Sequence, residues 1–285
     1  MKKSGICISA VPGLFLTIIV ACSLSKPLTV EEISPEGFNP SFRTAIEAQL
    51  IVAGGQQNCG DLPGVNPETY AEAVKASAKS IHFVDGGNPA YTLLAKNVDC
   101  CVGGPWPMSE CTGTSYWALR DNQTEHVLWQ VNVNEKGVGT PHLDGGKRIR
   151  EAIFNHKKQC IVSALTQLSQ ADIQASEKAI EDASSHWREH RDFESFLFLY
   201  NYLLLSAQQK KEQTIGKFKS TLRGDLMAAF NQRYVSRLMG RPDNTIAGQG
   251  DNISWEWQFN RNGKESIYRL SFFQRALSGS VERIE

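Results

Sequence analysis

The clearest hydrophobic pattern in the chain is an alternation of apolar and polar residues between positions 115 and 134. Two strand-like segments, SYWALRD and HVLWQVNVN, are joined by NQTE. In the second segment Val127, Trp129, Val131 and Val133 share one face, and Gln130, Asn132 and Asn134 share the other. A period of two with one apolar face predicts a β-hairpin packed on a core.

A helical period follows the hairpin, in the segment GKRIREAIFNHKKQCIVSALTQL. Apolar residues recur there at helical spacing, which predicts a long amphipathic helix that packs on the hairpin. They are Ile149, Ile153, Cys160, Ala164 and Leu168.

Three shorter patterns precede the hairpin. The apolar run AIEAQLIVAGG ends at Gly54 and Gly55. Asn66 followed by Pro67 is typical of a helix start, and residues 91–101 have the composition of a strand.

The segment after residue 170 changes character. It is first polar and helix-prone, and then becomes the apolar run FESFLFLYNYLLLSA. This run is too short to span a membrane and is interrupted by Glu194 and Asn201, so it predicts a buried helix. We expect residues 169–218 to form a helical hairpin that links two modules.

The C-terminal pattern is a helix that ends at Met239, then Gly240 and Pro242, then strands. Gly240 suits a helix end that needs a positive φ, and Pro242 prevents the helix from continuing. The order of helix, LMGRPD, aromatic strand, second strand and short closing strand resembles the SmpA/OmlA group, which includes the outer-membrane assembly lipoprotein BamE. The similarity covers residues 219–285, although LRGDLMAAF replaces the usual Gly-Met-Thr helix opening.

The hairpin carries a second resemblance. The pattern L-x-D-x-x-T-x-x-x-L-W, followed by a long helix, is similar to periplasmic lipoproteins with an α/β architecture like the N-terminal domain of TolB. Its residues here are Leu119, Asp121, Thr124, Leu128 and Trp129. The match covers residues 42–168 and implies a fold, without any catalytic group.

Together these patterns predict an α+β protein with two small α/β modules, containing antiparallel strand pairs, joined by a helical hairpin. The expected divisions are residues 1–21, 22–41, 42–168, 169–218 and 219–285. They correspond to a signal peptide, a lipidated cysteine with its tether, the first module, the helical linker and a BamE-like module.

The first segment has the features of a secretory signal. Lys2 and Lys3 precede a mostly apolar run that Pro12 and Gly13 interrupt. The run ends in Ile-Val-Ala-Cys, residues 19–22, which resembles the lipobox of bacterial lipoproteins. The resemblance implies cleavage before Cys22, its acylation with palmitate-type chains, and anchoring in the membrane. Ser23 resembles the class sorted to the outer membrane, on its periplasmic face.

The net charge of the chain limits the classes of partner that we expect. The chain has 30 basic and 30 acidic side chains, and loss of Lys2 and Lys3 leaves the mature chain slightly acidic. Because no basic surplus is present, we expect no nucleic acid partner. The expected partners are the membrane, through the lipid anchor, and other envelope proteins.

The remaining cysteines are disulfide candidates, because the periplasm is oxidising. They are Cys59, Cys100, Cys101, Cys111 and Cys160. Five is an odd number, and the weakly preferred pairing is Cys59 with Cys111 or Cys160. Cys100, Cys101 and Cys111 with His126 or His142 could instead bind a metal, but disulfides are favoured in this compartment.

One motif has the spacing of a metal site. His186, Glu189 and His190 match H-x-x-E-H, in which two histidines on one helix face hold zinc and the glutamate is the general base. Glu256 and Glu265 are candidate third ligands. This motif supports an alternative function as a zinc-dependent hydrolase, against a solvated helix face that carries two histidines.

The favoured interpretation is non-catalytic and needs no cofactor: a lipid-anchored envelope protein that presents binding surfaces. Trp255 and Trp257 share one face of a strand and are binding candidates if that face is open. If the face is covered, they belong to the core.

Overall fold

The computed structural model describes residues 28–54, 66–103, 109–141, 144–205, 211–215, 218–222 and 230–284. Within these ranges it contains six helices and eleven strands in two sheets. The α+β prediction is therefore confirmed. The chain divides into two compact units, Met1–Ala118 with Val131–Ala171 and Leu119–Gln130 with Asp172–Glu285.

The first unit contains a five-stranded sheet in the order β2-β1-β3-β4-β5. β1 pairs in parallel with both β2 and β3. The strands are β1 (Ile46–Gly54), β2 (Ile81–Phe83), β3 (Tyr91–Gly103), β4 (Ser109–Asp121) and β5 (Val127–Gly139).

β4 and β5 are the predicted hairpin, and β5 follows the expected alternation along its second half. Val133 is buried, whereas Asn132 and Asn134 are exposed. The tip of the hairpin, residues 119–130, belongs to the second unit.

Three helices accompany the first sheet: α1 (Val30–Ile33), α2 (Pro67–Ser77) and α3 (Gly145–Gln170). α2 begins as predicted, since the Asn66 side chain accepts a hydrogen bond from the Glu68 N–H and Pro67 is the first helical residue. α3 is the predicted long helix, and Ile153, Cys160 and Leu168 are buried on it.

α3 packs closely against β5. A Cβ added to Gly137 would collide with the backbone of Ala152 and His156, and one at Gly139 would collide with the backbone of Arg148. Glycine at these two positions lets the helix backbone approach the strand.

The expected tether over residues 22–41 is wrong for its described part, because residues 28–41 include a docked helix. Thr29 and Glu32 form a capping box around α1. Ile33 is fully buried, and the Glu32 carboxylate pairs with Arg150 of α3 at 2.6 Å. Burial of Leu28 and Ile33 outweighs the extended tendency of this proline-containing segment.

The second unit contains a six-stranded sheet in the order β6-β7-β11-β10-β9-β8, and its neighbouring strands pair in antiparallel fashion. The strands are β6 (Lys211–Ile215), β7 (Phe218–Leu222), β8 (Asn244–Ala247), β9 (Asn252–Arg261), β10 (Lys264–Phe273) and β11 (Ala276–Ile284). The antiparallel C-terminal strands appear in the predicted order.

The helices of the second unit are α4 (Ile173–His190), α5 (Phe193–Leu205) and α6 (Gln232–Met239). α4 and α5 form the predicted helical hairpin, and both belong to the second unit. The prediction of a helical segment over residues 169–218 is wrong at its end, because Lys211–Ile215 is strand β6 and Phe218 begins β7. No helix in the described ranges is long and apolar enough to cross a membrane.

An aromatic core lies where α4 and α5 meet the second sheet. Phe196 is its centre, with ring centroids 5.1 Å from Trp187, 4.6 Å from Phe259 and 5.3 Å from Tyr268. The apolar run of α5 is therefore buried against protein, as its interruption by polar residues predicted.

α6 ends where the sequence predicts. Gly240 has a φ of 72°, and its N–H donates to the Ser236 carbonyl. Two side chains of α4 complete this helix end, since Ser184 Oγ donates to the Leu238 carbonyl and Trp187 Nε1 to the Met239 carbonyl, both at 2.7 Å. The two bonds fix α6 on α4.

Candidate functional site

Most of the cysteines predicted to carry lipid or to form disulfides lie outside the described residues or have side chains that are not described. Cys22 and Cys59 lie outside the described residues, and Cys100 and Cys101 lie on β3 with side chains that are not described. Cys111 is buried and disulfide-bonded. Cys160 is a free buried thiol, so its proposed pairing is wrong. Its place on the apolar face of α3 explains this burial.

Cys160 does contact a histidine one helical turn away. Its Sγ lies 3.5 Å from His156 Nε2, and both residues are fully buried. Burial raises the pKa of Cys160 to about 12, and burial together with Lys157 lowers that of His156 to about 4. The thiol and the imidazole are both neutral at pH 7, which is the reverse of an activated thiolate pair.

The tryptophan pair does not face an open surface. Trp257 is fully buried, with its ring centroid 5.7 Å from that of Phe196 of α5. Trp255 is half-buried and packs on Phe272 at 4.7 Å. Of the two alternatives that the sequence leaves open, the covered one applies to Trp257, which belongs to the core because α5 lies over it.

His186, Glu189 and His190 lie in the last turn of α4. The two imidazole rings are 4.6 Å apart, and their side chains are 57% and 52% exposed. His186 Nε2 lies 3.5 Å from Asp192 Oδ2, and His190 Nε2 lies 3.7 Å from Glu189 Oε2.

The described ranges contain no group of three or more histidine, cysteine, aspartate or glutamate residues placed to hold a metal. Glu256, a candidate third ligand, instead accepts from Arg269 Nε at 2.7 Å. Glu265 is exposed on β10. The motif therefore supplies two imidazoles on a solvated helix face.

A more organised site is a polar cleft of about 440 Å³ in the second unit. Three segments line it: the hairpin tip, one face of α4 and the end of α6. A larger depression of about 1040 Å³ lies beside the start of α6, and its charged side chains, Arg233, Asp251 and Arg275, are exposed, as are Glu181, Arg188 and Arg237 of the cleft. We consider the cleft the better site because it contains a buried ionisable group.

The hairpin tip is shaped by Asp121. Its Oδ1 accepts hydrogen bonds from the Gln123 N–H at 2.8 Å, the Thr124 N–H at 2.6 Å and the Thr124 hydroxyl at 3.0 Å. Glu125 takes a φ of 63°, and the chain returns at His126, whose carbonyl accepts from the Asp121 N–H. The aspartate and threonine of the TolB-like pattern therefore have a structural role, which is to fix the turn that presents His126.

His126 begins a buried chain of hydrogen bonds. Its Nδ1 lies 2.8 Å from the Tyr234 hydroxyl, which lies 3.0 Å from the Tyr202 hydroxyl. The Tyr202 hydroxyl accepts from the Val127 N–H at 2.8 Å. The direction of these bonds depends on the tautomer of His126: with the ring proton on Nε2, Tyr234 donates to Nδ1 and can accept from Tyr202.

The electrostatics agree with a neutral imidazole. Burial, and then the positive charge of Arg237, lower the pKa of His126. Burial also raises the pKa of Tyr234, and the adjacent Tyr202 adds to that effect. In the tautomer whose proton lies on Nε2, the ring offers an N–H donor to the cleft that His126 lines.

Arg237 links α6 to the hairpin tip. Its guanidinium donates to the Thr124 carbonyl and lies 3.3 Å from the Glu125 carboxylate, which also pairs with Arg120 at 3.2 Å. Arg237 therefore holds the turn and lines the cleft.

The α4 face of the cleft carries Glu181, Ser184, Ser185 and Arg188. Their spacing of three, four and seven residues places them on one helix face. Ser184 donates to the Leu238 carbonyl of α6. Toward the described residues, Arg188 donates from Nε alone, to the Ser184 carbonyl at 3.3 Å.

Sequence reasoning missed this cleft. His126 was considered as a metal ligand, but its Nδ1 is bonded to Tyr234; His142, the other candidate, lies outside the described residues. A polar i, i+3, i+4, i+7 pattern on α4 was visible, but such patterns are typical of any solvated helix face.

No family model matches the chain, and no curated protein matches it. Solved structures do match over about half of the chain. A Xanthomonas campestris protein of the DUF330 family has 9% identity and a TM-score of 0.37, and the match covers 49% of this chain and 98% of that one.

Two further structures are similar at the same level. A proposed neuraminyllactose-binding hemagglutinin homolog from Helicobacter pylori has 11% identity and a TM-score of 0.33, over 50% of this chain and 96% of that one. A proposed lipoprotein from Caulobacter crescentus has 11% identity and a TM-score of 0.28, over 42% and 85%.

Proposed function

We propose that this chain is a bacterial envelope lipoprotein, anchored by lipids on Cys22 at the periplasmic face of the outer membrane. Its folded part binds other envelope molecules and catalyses no reaction. The observation that carries the binding role is the polar cleft of the second unit, where Glu181 and Arg188 form no ion pair within the described part of the chain.

The anchor rests on the first segment of the sequence. Lys2 and Lys3, the apolar run and the residues Ile-Val-Ala-Cys occur in the order of a lipoprotein signal. Acylation of Cys22 with two or more chains would give a stable anchor, since each buried methylene contributes about 0.8 kcal/mol.

The non-catalytic role is supported by the state of the candidate catalytic groups. His156 and Cys160 are buried and neutral, and Nδ1 of His126 is hydrogen-bonded to the Tyr234 hydroxyl. A nucleophile needs a neighbouring base and access to a substrate, and the hydroxyl of Tyr234 and the thiol of Cys160, which each lie beside an imidazole, are buried.

We also infer that the two family likenesses extend to architecture. Residues 42–168 would correspond to the TolB-like module and residues 219–285 to the BamE-like module. The partner class that follows is other proteins of the envelope.

The anchor is tested by labelling cells with an alkyne-bearing palmitate analogue and separating their membranes on a density gradient. We expect the wild-type chain to be labelled and to sediment with the outer membrane, and Cys22→Ser to lose the label. Cys7→Ser, which changes the other cysteine of the first segment, is the matched control and should behave as wild type. A Cys22→Ser chain that keeps the label would contradict the proposal.

A further inference from the structure

The cleft carries opposite charges at its two ends, because an acidic and a basic residue are separated along one face of α4. Glu181 lies at one end and Arg188 at the other, with Ser184 and Ser185 between them. Seven helical residues span about 10.5 Å at 1.5 Å per residue. Neither charged group has an ion-pair partner among the described residues.

Neighbouring charges strengthen the same polarity. Glu177 lies one turn before Glu181, and burial followed by the negative charges of Asp121 and Glu181 raises its pKa. Arg237 lines the cleft together with Arg188 and is also ion-paired with Glu125 at 3.3 Å, so Arg188 is the basic group without an ion pair among the described residues. The cleft therefore has an acidic end that favours a cation and basic side chains that favour an anion.

A third feature is a buried donor. His126 is only 7% exposed, and its Nδ1 is occupied by Tyr234. The remaining Nε2–H can donate to a carbonyl or carboxylate in the cleft without any rearrangement of the ring. A fixed, nearly dry donor contributes more to recognition than a mobile one at the surface.

The dimensions suit a short peptide. An extended chain advances 3.3–3.6 Å per residue, so three residues span roughly 10 Å. The cleft volume of about 440 Å³ lies at the lower end of the usual range for ligand sites, roughly 300–1,000 Å³.

We propose that this cleft binds a short peptide with free ends, its ammonium group at Glu181 and its carboxylate at Arg188 and Arg237, while His126 Nε2–H donates to a backbone carbonyl. This inference names a ligand class for the proposed binding role and rests on that role.

The test uses three peptides that differ by one charge: triglycine, N-acetyl-triglycine and triglycine amide. Each is titrated into the full mature chain in detergent, with affinity measured by calorimetry and the His126 ring followed by NMR of ¹³C-labelled histidine. We expect triglycine to bind saturably and to shift the His126 signal. Loss of either terminal charge should weaken binding about tenfold, since each end forms a charge-assisted contact.

Variants then assign each end. Arg188→Gln should abolish the preference for the free carboxylate and keep the preference for the free ammonium, and Glu181→Gln should do the reverse. Arg233→Gln is the matched control, because Arg233 is an exposed arginine on α6 outside the cleft. It should leave all three affinities unchanged.

Two results would overturn the inference: a His126 signal that triglycine does not shift, or an Arg188→Gln chain that still prefers the free carboxylate. Either result is separate from the anchoring test. A chain that is labelled at Cys22 and ignores triglycine has lost only the peptide inference, and an unlabelled chain that binds triglycine has lost only the anchor.

Discussion

At the scale of single residues, the buried imidazole of His156 makes folding depend on pH on the acidic side of neutrality. Its pKa is lowered to about 4 by burial and by Lys157. In the unfolded chain a histidine titrates near pH 6.5. Between these values the unfolded state binds more protons, so acidification favours unfolding.

We therefore expect the stability that neutral His156 contributes to be fully present above about pH 6.5 and to be lost as the pH falls toward 4. The shift corresponds to at most about 3 kcal/mol. His156→Met keeps the volume and removes the titration, so its free energy of unfolding should fall less between pH 7 and pH 4.5. Urea unfolding followed by tryptophan fluorescence measures this.

His156→Gln provides a second variant if the thioether packs poorly against Cys160. An equal loss of stability on acidification in wild type and in both variants would show that His156 does not control the pH dependence.

At the scale of elements, the packing of α3 on β5 depends on two glycines. Gly137 and Gly139 lie on the covered face of β5, and a methyl group at either would meet helix backbone. Backbone cannot rotate away as a side chain can, so the helix or the strand would have to move.

We expect Gly137→Ala to lower the free energy of unfolding by about 2 kcal/mol or more. Gly145→Ala is the matched control at the start of α3, where the nearest atom is the flexible end of Arg148 at 3.5 Å. That change should be neutral or stabilise by a few tenths of a kcal/mol, because alanine favours the helix. Equal effects of the two substitutions in chemical denaturation would contradict the packing argument.

At the scale of the whole molecule, the amount of zinc bound per chain distinguishes a binding protein from a zinc hydrolase. His186 and His190 give two exposed ligands, whereas a catalytic zinc site normally has three protein ligands and a sheltered position.

The expected result is no stoichiometric zinc after the full chain is purified without chelator and passed through gel filtration, with the same content in His186→Ala. Elemental analysis by mass spectrometry is the measurement. One zinc per chain that disappears in His186→Ala would instead favour the hydrolase and prompt assays with peptide and ester substrates.

The sequence by itself determined the elements whose signals are local. The alternation in β5, the helical period of α3, the Asn66-Pro67 start of α2 and the Gly240 end of α6 each depend on residues within a few positions. Propensity, caps and side-chain period act over that range, so these elements could be predicted.

Only the tertiary structure decided what these elements pack against. Burial of Ile33 attaches to the core a segment that was expected to be a tether, and α5 covers the sheet face that holds Trp257. His126 and Tyr234 are 108 positions apart, yet their hydrogen bond orients the donor of the cleft. Local patterns say that a face is apolar or that a histidine is present. Which distant element covers that face or bonds that ring is set by long-range packing, which a single sequence does not encode in any short window.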